Sequence, residues 1–262
     1  DLLGDNVYSQ VFKGSYQHTE VAVKRLKAPL QPRDRNYFAA EVSMFEELCH
    51  SNVVQLIGVC TTDKLPLVVL EYMVLGNLHN WLHDPSRTAL EHKQFYQIAR
   101  DVSAGMLYLH QRQPPVLHLN LNSCNVLLGQ GLHAKVADFG FSKLKHEADH
   151  KVTRGNNKTK QIQGNTAWMA PELLTGSDVI AKADVYSFAV VLWEMLTRKT
   201  PYDGMTVYQI LENVRVNKRP PISGSCPAEL TKLIQRSWDP NPAVRPGFKV
   251  NLYFLMQSFL MI

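Results

Sequence analysis

The pattern of apolar and polar residues changes character after the first third of the chain, which has 262 residues. Before Gly76, short runs rich in Val, Leu and Tyr alternate apolar with polar positions, a pattern that predicts β-strands. These runs are residues 7–13, 20–26, 53–60 and 66–72. A longer segment, residues 34–48, has apolar side chains at helical spacing and predicts one helix among the strands. Those apolar residues are Phe38, Val42, Phe45 and Leu48.

Helical periodicity dominates the remainder of the chain. Amphipathic segments predict helices at residues 95–110, 183–196, 206–214 and 229–238. Residues 143–165 are polar and rich in Lys, Asn and Gly, which indicates a long loop. We therefore predict one α+β domain with two lobes, a small strand-rich lobe over residues 1–73 and a larger helical lobe over residues 74–262. Because the sequence begins abruptly at a strand-like run, we expect it to be part of a longer protein.

The bulk composition is that of an ordinary globular domain, with 45% hydrophobic and 19% charged residues. A formal net charge of +5 is spread along the chain without a Lys/Arg block, so we expect no nucleic-acid partner. The four cysteines are scattered and lack zinc-site spacing, which fits a reduced, cytoplasmic protein better than a disulfide framework. No apolar stretch is long enough to predict a membrane span within these residues.

A set of short motifs occurs in a fixed order along the chain. The set comprises V-A-V-K at residues 21–24, Glu41, H-L-N-L-N-S-C-N at residues 118–125, D-F-G at residues 138–140 and A-P-E at residues 170–172. Each motif alone is weak, but the ordered set resembles the signature series of the protein-kinase family over essentially the whole chain. The N-S pair at residues 122–123 and the W-M-A-P-E run that ends at Glu172 resemble the tyrosine-kinase-like group, near the mixed-lineage and troponin-interacting kinases.

The resemblance implies a two-lobed protein-kinase fold that uses ATP and Mg²⁺. By this resemblance, Lys24 binds the α- and β-phosphates and is held by Glu41. Asn125 and Asp138 would bind Mg²⁺. The other positions of the nucleotide pocket would be Gly4, Val11, Ala22, Leu70, Glu71, Met73 and Leu127. The alternative for Lys24 is a solubilising lysine on an edge strand.

The resemblance also implies two structural roles in the large lobe. Glu172 and Arg245 would form a buried ion pair that anchors the activation segment. Asp184 would hold the catalytic loop through that loop's backbone amides. These roles concern the stability of the fold more than its chemistry.

The chain departs from the family pattern at the catalytic loop. Where the family has H-R-D, this chain has His118, Leu119 and Asn120. The family's aspartate accepts the proton of the substrate hydroxyl, and the amide of Asn120 cannot take up that proton. The loss of a general base costs roughly 10²–10⁴ in rate. Leu119 also removes the arginine that receives an activation-loop phosphate, unless the change is a loop variant without regulatory meaning.

Two other segments depart from the pattern. Gly4, Asn6 and Ser9 stand at the three positions of the glycine-rich loop, where glycines let the backbone approach phosphates closely. We therefore expect weakened phosphate binding rather than none. Asn165 stands where serine/threonine kinases commonly have a Thr that contacts the catalytic aspartate. Together with the catalytic-loop changes, these departures indicate relaxed selection on catalysis.

The activation segment is not expected to act as a phosphorylation switch, because Leu119 leaves the catalytic loop without an arginine to bind a phosphate. Residues 143–160 are also already basic. On this interpretation, replacing Thr153, Thr159 and Thr166 with Glu should leave stability nearly unchanged, as at ordinary surface positions.

Three hypotheses for function follow from the sequence. The first is a pseudokinase that binds ATP and acts as a nucleotide-dependent signalling switch or scaffold for protein partners. The second is a weakly active kinase that transfers the γ-phosphate of ATP to a Ser, Thr or Tyr hydroxyl. The third is a scaffold that binds no nucleotide. Measurements of ATP binding separate the third hypothesis from the others, and measurements of phosphoryl transfer separate the first two.

Overall fold

The computed structural model describes residues 1–5, 9–29, 32–61, 65–138, 165–175, 181–224 and 226–260. Within these ranges, the side chains of residues 32–34, 37, 41, 175, 259 and 260 are outside the description. No helix in the described ranges is both long enough and apolar enough to cross a membrane.

Five antiparallel strands form the sheet of the small lobe, in the order β1-β2-β3-β5-β4. They are β1 (Leu2–Asp5), β2 (Ser9–Tyr16), β3 (Thr19–Leu26), β4 (Leu56–Cys60) and β5 (Leu67–Glu71). A tight turn joins β2 to β3, and its two central residues, Gln17 and His18, have φ angles of 47° and 63°. A turn of this mirror-image type matches the right-handed twist of the strands and fixes their register.

The register of the sheet places several predicted site residues side by side. Lys24 on β3 is opposite Val11 on β2, and Ala22 on β3 is opposite Leu70 on β5. Residues directly opposite each other share a face of an antiparallel sheet, and residues two apart on one strand share a face as well. These four side chains therefore lie on the same face of the sheet.

The helix predicted among the strands is observed as α1 (Pro32–Glu46). Its apolar stripe packs as the periodicity predicts, because Phe38 and Phe45 are buried and Val42 packs against the core. Glu41 lies on this helix, but its side chain is outside the description.

The larger lobe is organised around one central helix. The helices described after residue 75 are α2 (Leu78–His83), α3 (His92–His110), α4 (Pro171–Thr175), α5 (Lys182–Thr197), α6 (Val207–Arg215), α7 (Ala228–Ser237) and α8 (Phe248–Leu260). In α5, every residue from Ala183 to Met195 is buried. A helix enclosed in this way must satisfy its charged groups within the protein. Two such groups occur in α5, the carboxylates of Asp184 and Glu194, and both are fully buried.

A second sheet of two antiparallel strands links the lobes. It is formed by β6 (Val126–Leu128) and β7 (Ala134–Val136). Val136 donates its N–H to the carbonyl of Asn52 and accepts a hydrogen bond from the N–H of Val54, both at 2.9 Å. The strand that leads to Asp138 is thereby attached to the segment that precedes β4.

The structure confirms the α+β fold with two lobes and differs from the prediction at several element ends. The strand predicted over residues 7–13 is observed over Ser9–Tyr16, and residues 7 and 8 are outside the description. The strand predicted over residues 53–60 begins at Leu56, because Val53 instead forms a bridge with β7. Three helices are not predicted by the pattern: α2 and α4 are each shorter than two turns, and apolar residues at most positions of α8 hide the helical period.

A buried ion pair connects α4 to the segment that precedes α8. Arg245 is 1% exposed, and its two terminal nitrogens donate to the two carboxylate oxygens of Glu172, at 2.6 and 2.9 Å. The guanidinium also donates to the backbone carbonyls of Lys182 and Asp239. The predicted pair is confirmed, and its parallel bonds satisfy both charges in the interior.

Removing the charge of Glu172 should leave Arg245 as an uncompensated buried cation. We expect Glu172→Gln to lower the free energy of unfolding by about 3–5 kcal/mol, the range for a broken buried pair, as measured by urea denaturation. The matched control is Glu229→Gln, which removes an exposed pair with Lys232 and should cost less than ~1 kcal/mol. Equal losses in the two variants would contradict this role of the buried pair.

Candidate active site

The catalytic loop is fixed to the centre of the large lobe by one carboxylate. Asp184, in the first turn of α5, accepts hydrogen bonds from the backbone N–H groups of His118 at 2.9 Å and Leu119 at 2.7 Å. Its Oδ2 also lies 2.8 Å from Nε2 of His110, at the end of α3. These contacts replace the hydration that a buried carboxylate loses. The predicted contact between Asp184 and the catalytic loop is confirmed.

The anchored loop holds Leu119 in an unusual backbone conformation. Its φ of 58° lies in the left-handed region, which costs a residue with a side chain roughly 1–2 kcal/mol. The hydrogen bond from Leu119 N–H to Asp184 offsets this cost, and the Leu119 side chain packs against the hydrophobic core. Position 119 is therefore part of the packing and presents no cationic group to a phosphate.

Asn120 is held by four hydrogen bonds. Its backbone N–H donates to Nδ1 of His118 at 3.3 Å. Its backbone carbonyl accepts from the side-chain amides of Asn122 and Asn125, both at 2.8 Å. Its side-chain Oδ1 accepts from Nδ2 of Asn165 at 2.6 Å. Asn120 and Asn165 are both altered positions of the family pattern, and the structure brings their two amides together. The oxygen acceptor of the Asn120 side chain is thus engaged by a protein donor.

The catalytic loop offers no second carboxylate in place of the missing aspartate. Residues 118–125 contain neither Asp nor Glu. Cys124 also lies in this loop, with its side chain exposed at the surface. Partial desolvation by the surrounding protein, with the Glu194 carboxylate adding to it, raises the pKa of the thiol above its ordinary value, so the thiol is expected to be protonated at neutral pH.

Lys24 and Asp138 connect the sheet of the small lobe to the strand pair of the large lobe. The ammonium of Lys24 forms an ion pair with Oδ1 of Asp138, and both side chains are mostly buried. Asp138 has a left-handed φ of 59°, and the N–H of the preceding residue, Ala137, donates to the carbonyl of Asn125 at 2.9 Å. This hydrogen bond places the backbone segments that carry the two predicted metal ligands, Asn125 and Asp138, side by side.

The chemistry of these side chains suits ATP and Mg²⁺. Nδ2 of Asn125 is committed to the carbonyl of Asn120, so Oδ1 is the atom that Asn125 would offer to a cation. Carboxylate and amide oxygens are the hard ligands that Mg²⁺ binds in proteins. The Lys24 ammonium is the kind of point cation that binds nucleotide phosphates. Because the side chain of Glu41 is outside the description, its predicted pairing with Lys24 stays a prediction.

Four other residues of the predicted nucleotide pocket fall into two groups; Val11, Ala22 and Leu127 are the ones predicted to contact adenine, and Leu70 is predicted to line the pocket. Val11, Ala22 and Leu70 share the face of the sheet that carries Lys24. Leu127 is the central residue of β6 and is opposite Lys135 on β7. The structure places each of them on a strand, and their roles in the nucleotide pocket stay predictions.

Glu71 is the last residue of β5, and Met73 follows two residues later. Both are held by contacts with the surrounding protein. The Glu71 carboxylate accepts from Nζ of Lys135 at 2.7 and 2.8 Å and from the N–H of Gln55 at 2.7 Å. Met73 is buried, and its carbonyl accepts from the N–H of Gly76 at 3.1 Å. The Glu71 side chain therefore holds β5, β7 and the segment before β4 together.

The glycine-rich loop is described at its two ends. Gly4 on β1 is opposite Val11, and a Cβ added at Gly4 would meet no atom of the described residues within 4 Å. Ser9 is 1% exposed, so the fold encloses the side chain that replaces a glycine at this position. Asn6 lies outside the described residues.

A second buried carboxylate supports the catalytic loop, and no sequence motif indicates it. Glu194, near the end of α5, accepts hydrogen bonds from Oγ of Ser123 at 2.8 Å and from Nε1 of Trp168 at 3.2 Å. Its partners are 71 and 26 residues away in the sequence, so spacing cannot reveal the contact. The one available signal is an acidic residue within an otherwise apolar stretch.

Comparison with known proteins decides the family. The family model described as protein tyrosine and serine/threonine kinase matches residues 1–254. The chain belongs to this family. Relatives confirm the resemblance of this kinase domain to the tyrosine-kinase-like group. Serine/threonine/tyrosine-protein kinase HT1 of Arabidopsis thaliana is 36% identical over 258 residues, which cover 96% of this chain and 63% of that protein.

Two other relatives show the same relationship. Dual specificity protein kinase shkA of Dictyostelium discoideum is 35% identical over 250 residues, covering 95% of the kinase domain and 46% of that protein. Serine/threonine-protein kinase TNNI3K of Mus musculus is 37% identical over 253 residues, which cover 95% of the kinase domain and 30% of that protein. The kinase domain therefore spans less than two thirds of the length of each of these relatives.

The structure corrects the expectation for Thr166. This residue lies in a short 3₁₀ turn at Thr166–Trp168 and is only 2% exposed. It is therefore not an ordinary surface position, and a glutamate there would place a carboxylate in the protein interior. Thr153 and Thr159 lie outside the described residues, so the expectation for them stays a prediction.

Thr166→Glu should consequently lower the free energy of unfolding by at least ~2 kcal/mol, because the new charge is desolvated. Thr166→Ser keeps a hydroxyl and serves as the matched control, with an expected loss of less than ~1.5 kcal/mol. Both values come from urea denaturation of the kinase domain. A Thr166→Glu protein as stable as wild type would show that position 166 is accessible to water.

Proposed function

We propose that this kinase domain is a pseudokinase, which binds ATP with Mg²⁺ and acts as a nucleotide-dependent signalling switch or scaffold. The observation that supports it most strongly is Asn120, an amide at the position of the proton-accepting aspartate, in a loop that is otherwise fully anchored. The loop is held in place by these contacts, whereas the side chain at position 120 cannot take up a proton.

Nucleotide binding is supported by the residues that remain. Lys24 would bind phosphate oxygens, and Asp138 and Asn125 would hold Mg²⁺. When bound, ATP supplies a γ-phosphoryl group whose charge Mg²⁺ neutralises. The ion pair between Lys24 and Asp138 keeps both groups in place. Val11 and Ala22 would contact the adenine ring from the sheet, and Leu70 would line the pocket.

Impaired transfer follows from the chemistry of the amide. An amide is not a base at neutral pH, so Asn120 cannot accept the proton of the substrate hydroxyl as an aspartate would. The one acceptor atom of the side chain, Oδ1, is bound by Asn165 at 2.6 Å. The lost general-base contribution corresponds to roughly 10²–10⁴ in rate, which is about 3–5 kcal/mol of transition-state stabilisation.

A weakly active protein kinase is the second candidate. Phosphoryl transfer depends mainly on positioning and electrostatic stabilisation, and the anchoring of this loop by Asp184 and Glu194 is intact. The relatives described above are named as kinases, one for serine, threonine and tyrosine and one as dual specificity. This candidate predicts slow but measurable transfer to a protein hydroxyl.

Several broader assignments belong to the same proposal. The protein partners would be signalling proteins, and the location would be the cytoplasm. Residues 1–262 would form a single kinase domain, with lobes over residues 1–73 and 74–262, within a longer protein. We propose no nucleic-acid partner, because the positive charge is diffuse.

ATP with Mg²⁺ should raise the melting temperature of the domain. A ligand at one hundred times its dissociation constant adds ~2.7 kcal/mol of stability, which corresponds to roughly 5–10 °C for a chain of this length. Lys24→Met should abolish the shift because the phosphate-binding cation is lost, and Asp138→Asn should abolish its dependence on Mg²⁺. Thermal denaturation with and without each ligand measures these shifts.

The control for the lysine is Lys232→Met, which removes an exposed lysine of α7 paired with Glu229. This variant should keep the full ATP-dependent shift. The shift is compared within each variant, since Lys24→Met also removes the ion pair between Lys24 and Asp138. Wild-type protein that shows no shift at millimolar ATP would favour the scaffold that binds no nucleotide.

Restoring the aspartate should restore transfer only in part. If the missing base is the main defect, Asn120→Asp raises transfer activity by ~10²-fold or more. We expect weak activity from this single change and clear activity when Leu119→Arg, Asn6→Gly and Ser9→Gly are added, with a non-additive combined effect. Radiolabelled transfer from ATP is the measurement. Asn120→Ala, which supplies no proton acceptor, is the control and should stay inactive; equal rates for the Asp and Ala variants would contradict the assignment.

A further inference from the structure

The buried carboxylate of Glu194 contacts two histidines of α2. Oε1 of Glu194 is 3.0 Å from Nδ1 of His79 and 3.1 Å from Nε2 of His83. The two histidines are four residues apart on one helix, a spacing that places both rings on the same side. The three ligand atoms all lie within 4.8 Å of one another. The cluster shares no residue with the predicted nucleotide and Mg²⁺ ligands Lys24, Asn125 and Asp138.

Two of the three separations between these ligand atoms are close to those around a small metal ion, and the third is at most 4.8 Å. With bonds of about 2.0–2.2 Å to histidine nitrogen and carboxylate oxygen, neighbouring ligands of a tetrahedral Zn²⁺ ion are about 3.3–3.5 Å apart. The two nitrogen–oxygen distances in the cluster, 3.0 and 3.1 Å, are a few tenths of an ångström shorter. Small movements of the His79 and His83 side chains, which are 29% and 25% exposed, would make room for an ion.

The electrostatics of the cluster favour a cation. Glu194 is completely buried, and a buried carboxylate requires a positive partner or several donors. Among the residues that the structure describes, its ion-pair partners are His79 and His83, with no Lys or Arg. Oε1 also accepts from Oγ of Ser123, so three donors converge on one oxygen atom. A divalent ion bound to both nitrogens would neutralise the carboxylate directly.

We propose that His79, His83 and Glu194 form a binding site for a divalent transition-metal ion of the zinc type. Two imidazole nitrogens and one carboxylate oxygen are ligands for Zn²⁺, Cu²⁺ or Ni²⁺, whereas Mg²⁺ prefers oxygen ligands alone. The fourth position would be open to water because both histidines are partly exposed.

The position of this site gives the ion a structural consequence. It would join α2, the first helix after the strands of the small lobe, to α5. Through Glu194 it would also act on Ser123 in the catalytic loop and on Trp168 near α4. Zn²⁺ binding should therefore stiffen the contacts around the loop that carries Asn120, whether or not nucleotide is bound.

Titration of the chelator-treated protein with Co²⁺, followed by visible absorption, tests the site directly. We expect one equivalent of Co²⁺ to bind with the absorption bands of a low-coordinate complex, Zn²⁺ to displace it and millimolar Mg²⁺ to leave it bound. His79→Gln and His83→Gln keep an N–H donor for Glu194 and remove a metal ligand. Replacing a residue that only supports a metal ligand already costs ~10–100-fold in affinity. Each of these two variants, which lacks a ligand itself, should therefore weaken metal binding by more than ~100-fold. His92→Asn, at another histidine of the large lobe, should have no effect.

Thiols are the main competing ligands, and Cys124 lies in the catalytic loop next to Ser123. Cys124→Ser should therefore keep wild-type affinity. X-ray absorption of the wild-type Zn²⁺ complex should show two histidines and only nitrogen and oxygen ligands, a result that needs no variant to fold. The proposal is overturned by a sulfur ligand, by loss of binding in Cys124→Ser, by unchanged affinity in both Gln variants, or by no binding at micromolar Zn²⁺. In the last case the histidines serve as hydrogen-bond donors to Glu194.

Discussion

Asp184 lies in the first turn of a helix that is buried along almost its whole length, and its carboxylate accepts the backbone N–H groups of His118 and Leu119. A buried charge without partners would destabilise the domain strongly. If the catalytic loop moved away, the buried carboxylate would lose these donors and the domain would be destabilised. The same contacts hold Leu119 in its left-handed backbone conformation and thereby fix the position of the next residue, Asn120.

This constraint separates the shape of the loop from its chemistry. The loop is held by Asp184 at one end of α5 and by Glu194 through Ser123 at the other. Asn120 contributes its backbone carbonyl, which any residue has, to the amides of Asn122 and Asn125. An exchange of aspartate for asparagine at position 120 thus leaves the framework in place and removes the proton acceptor. The ion pair between Lys24 and Asp138 is likewise independent of that residue.

Local patterns predicted the parts of the fold that depend on local chemistry. The stripe of α1, the central strands and the long helices carry regular periods, and the motif series located Lys24, Asn120 and Asp138. Contacts between distant segments were predicted only where the family pattern includes both partners, as it does for Glu172 with Arg245 and for Asp184 with the catalytic loop. Glu194 meets Ser123, Trp168, His79 and His83 only because α5 is central, and the burial of Thr166 depends on tertiary packing. The pairing of Asn120 with Asn165 could be predicted from the sequence, because both positions belong to one family pattern.

The central claim of the proposed function is that the nucleotide-binding residues Lys24, Asn125 and Asp138 remain, whereas the proton acceptor at position 120 is missing. The most direct test measures phosphoryl transfer by the unmodified protein at saturating ATP and Mg²⁺, with nucleotide binding followed in the same sample. The account predicts saturable binding together with a turnover at least ~10²-fold below the usual kinase range. Turnover within that range, ~1–100 s⁻¹, would contradict the claim, because another group would then be accepting the proton.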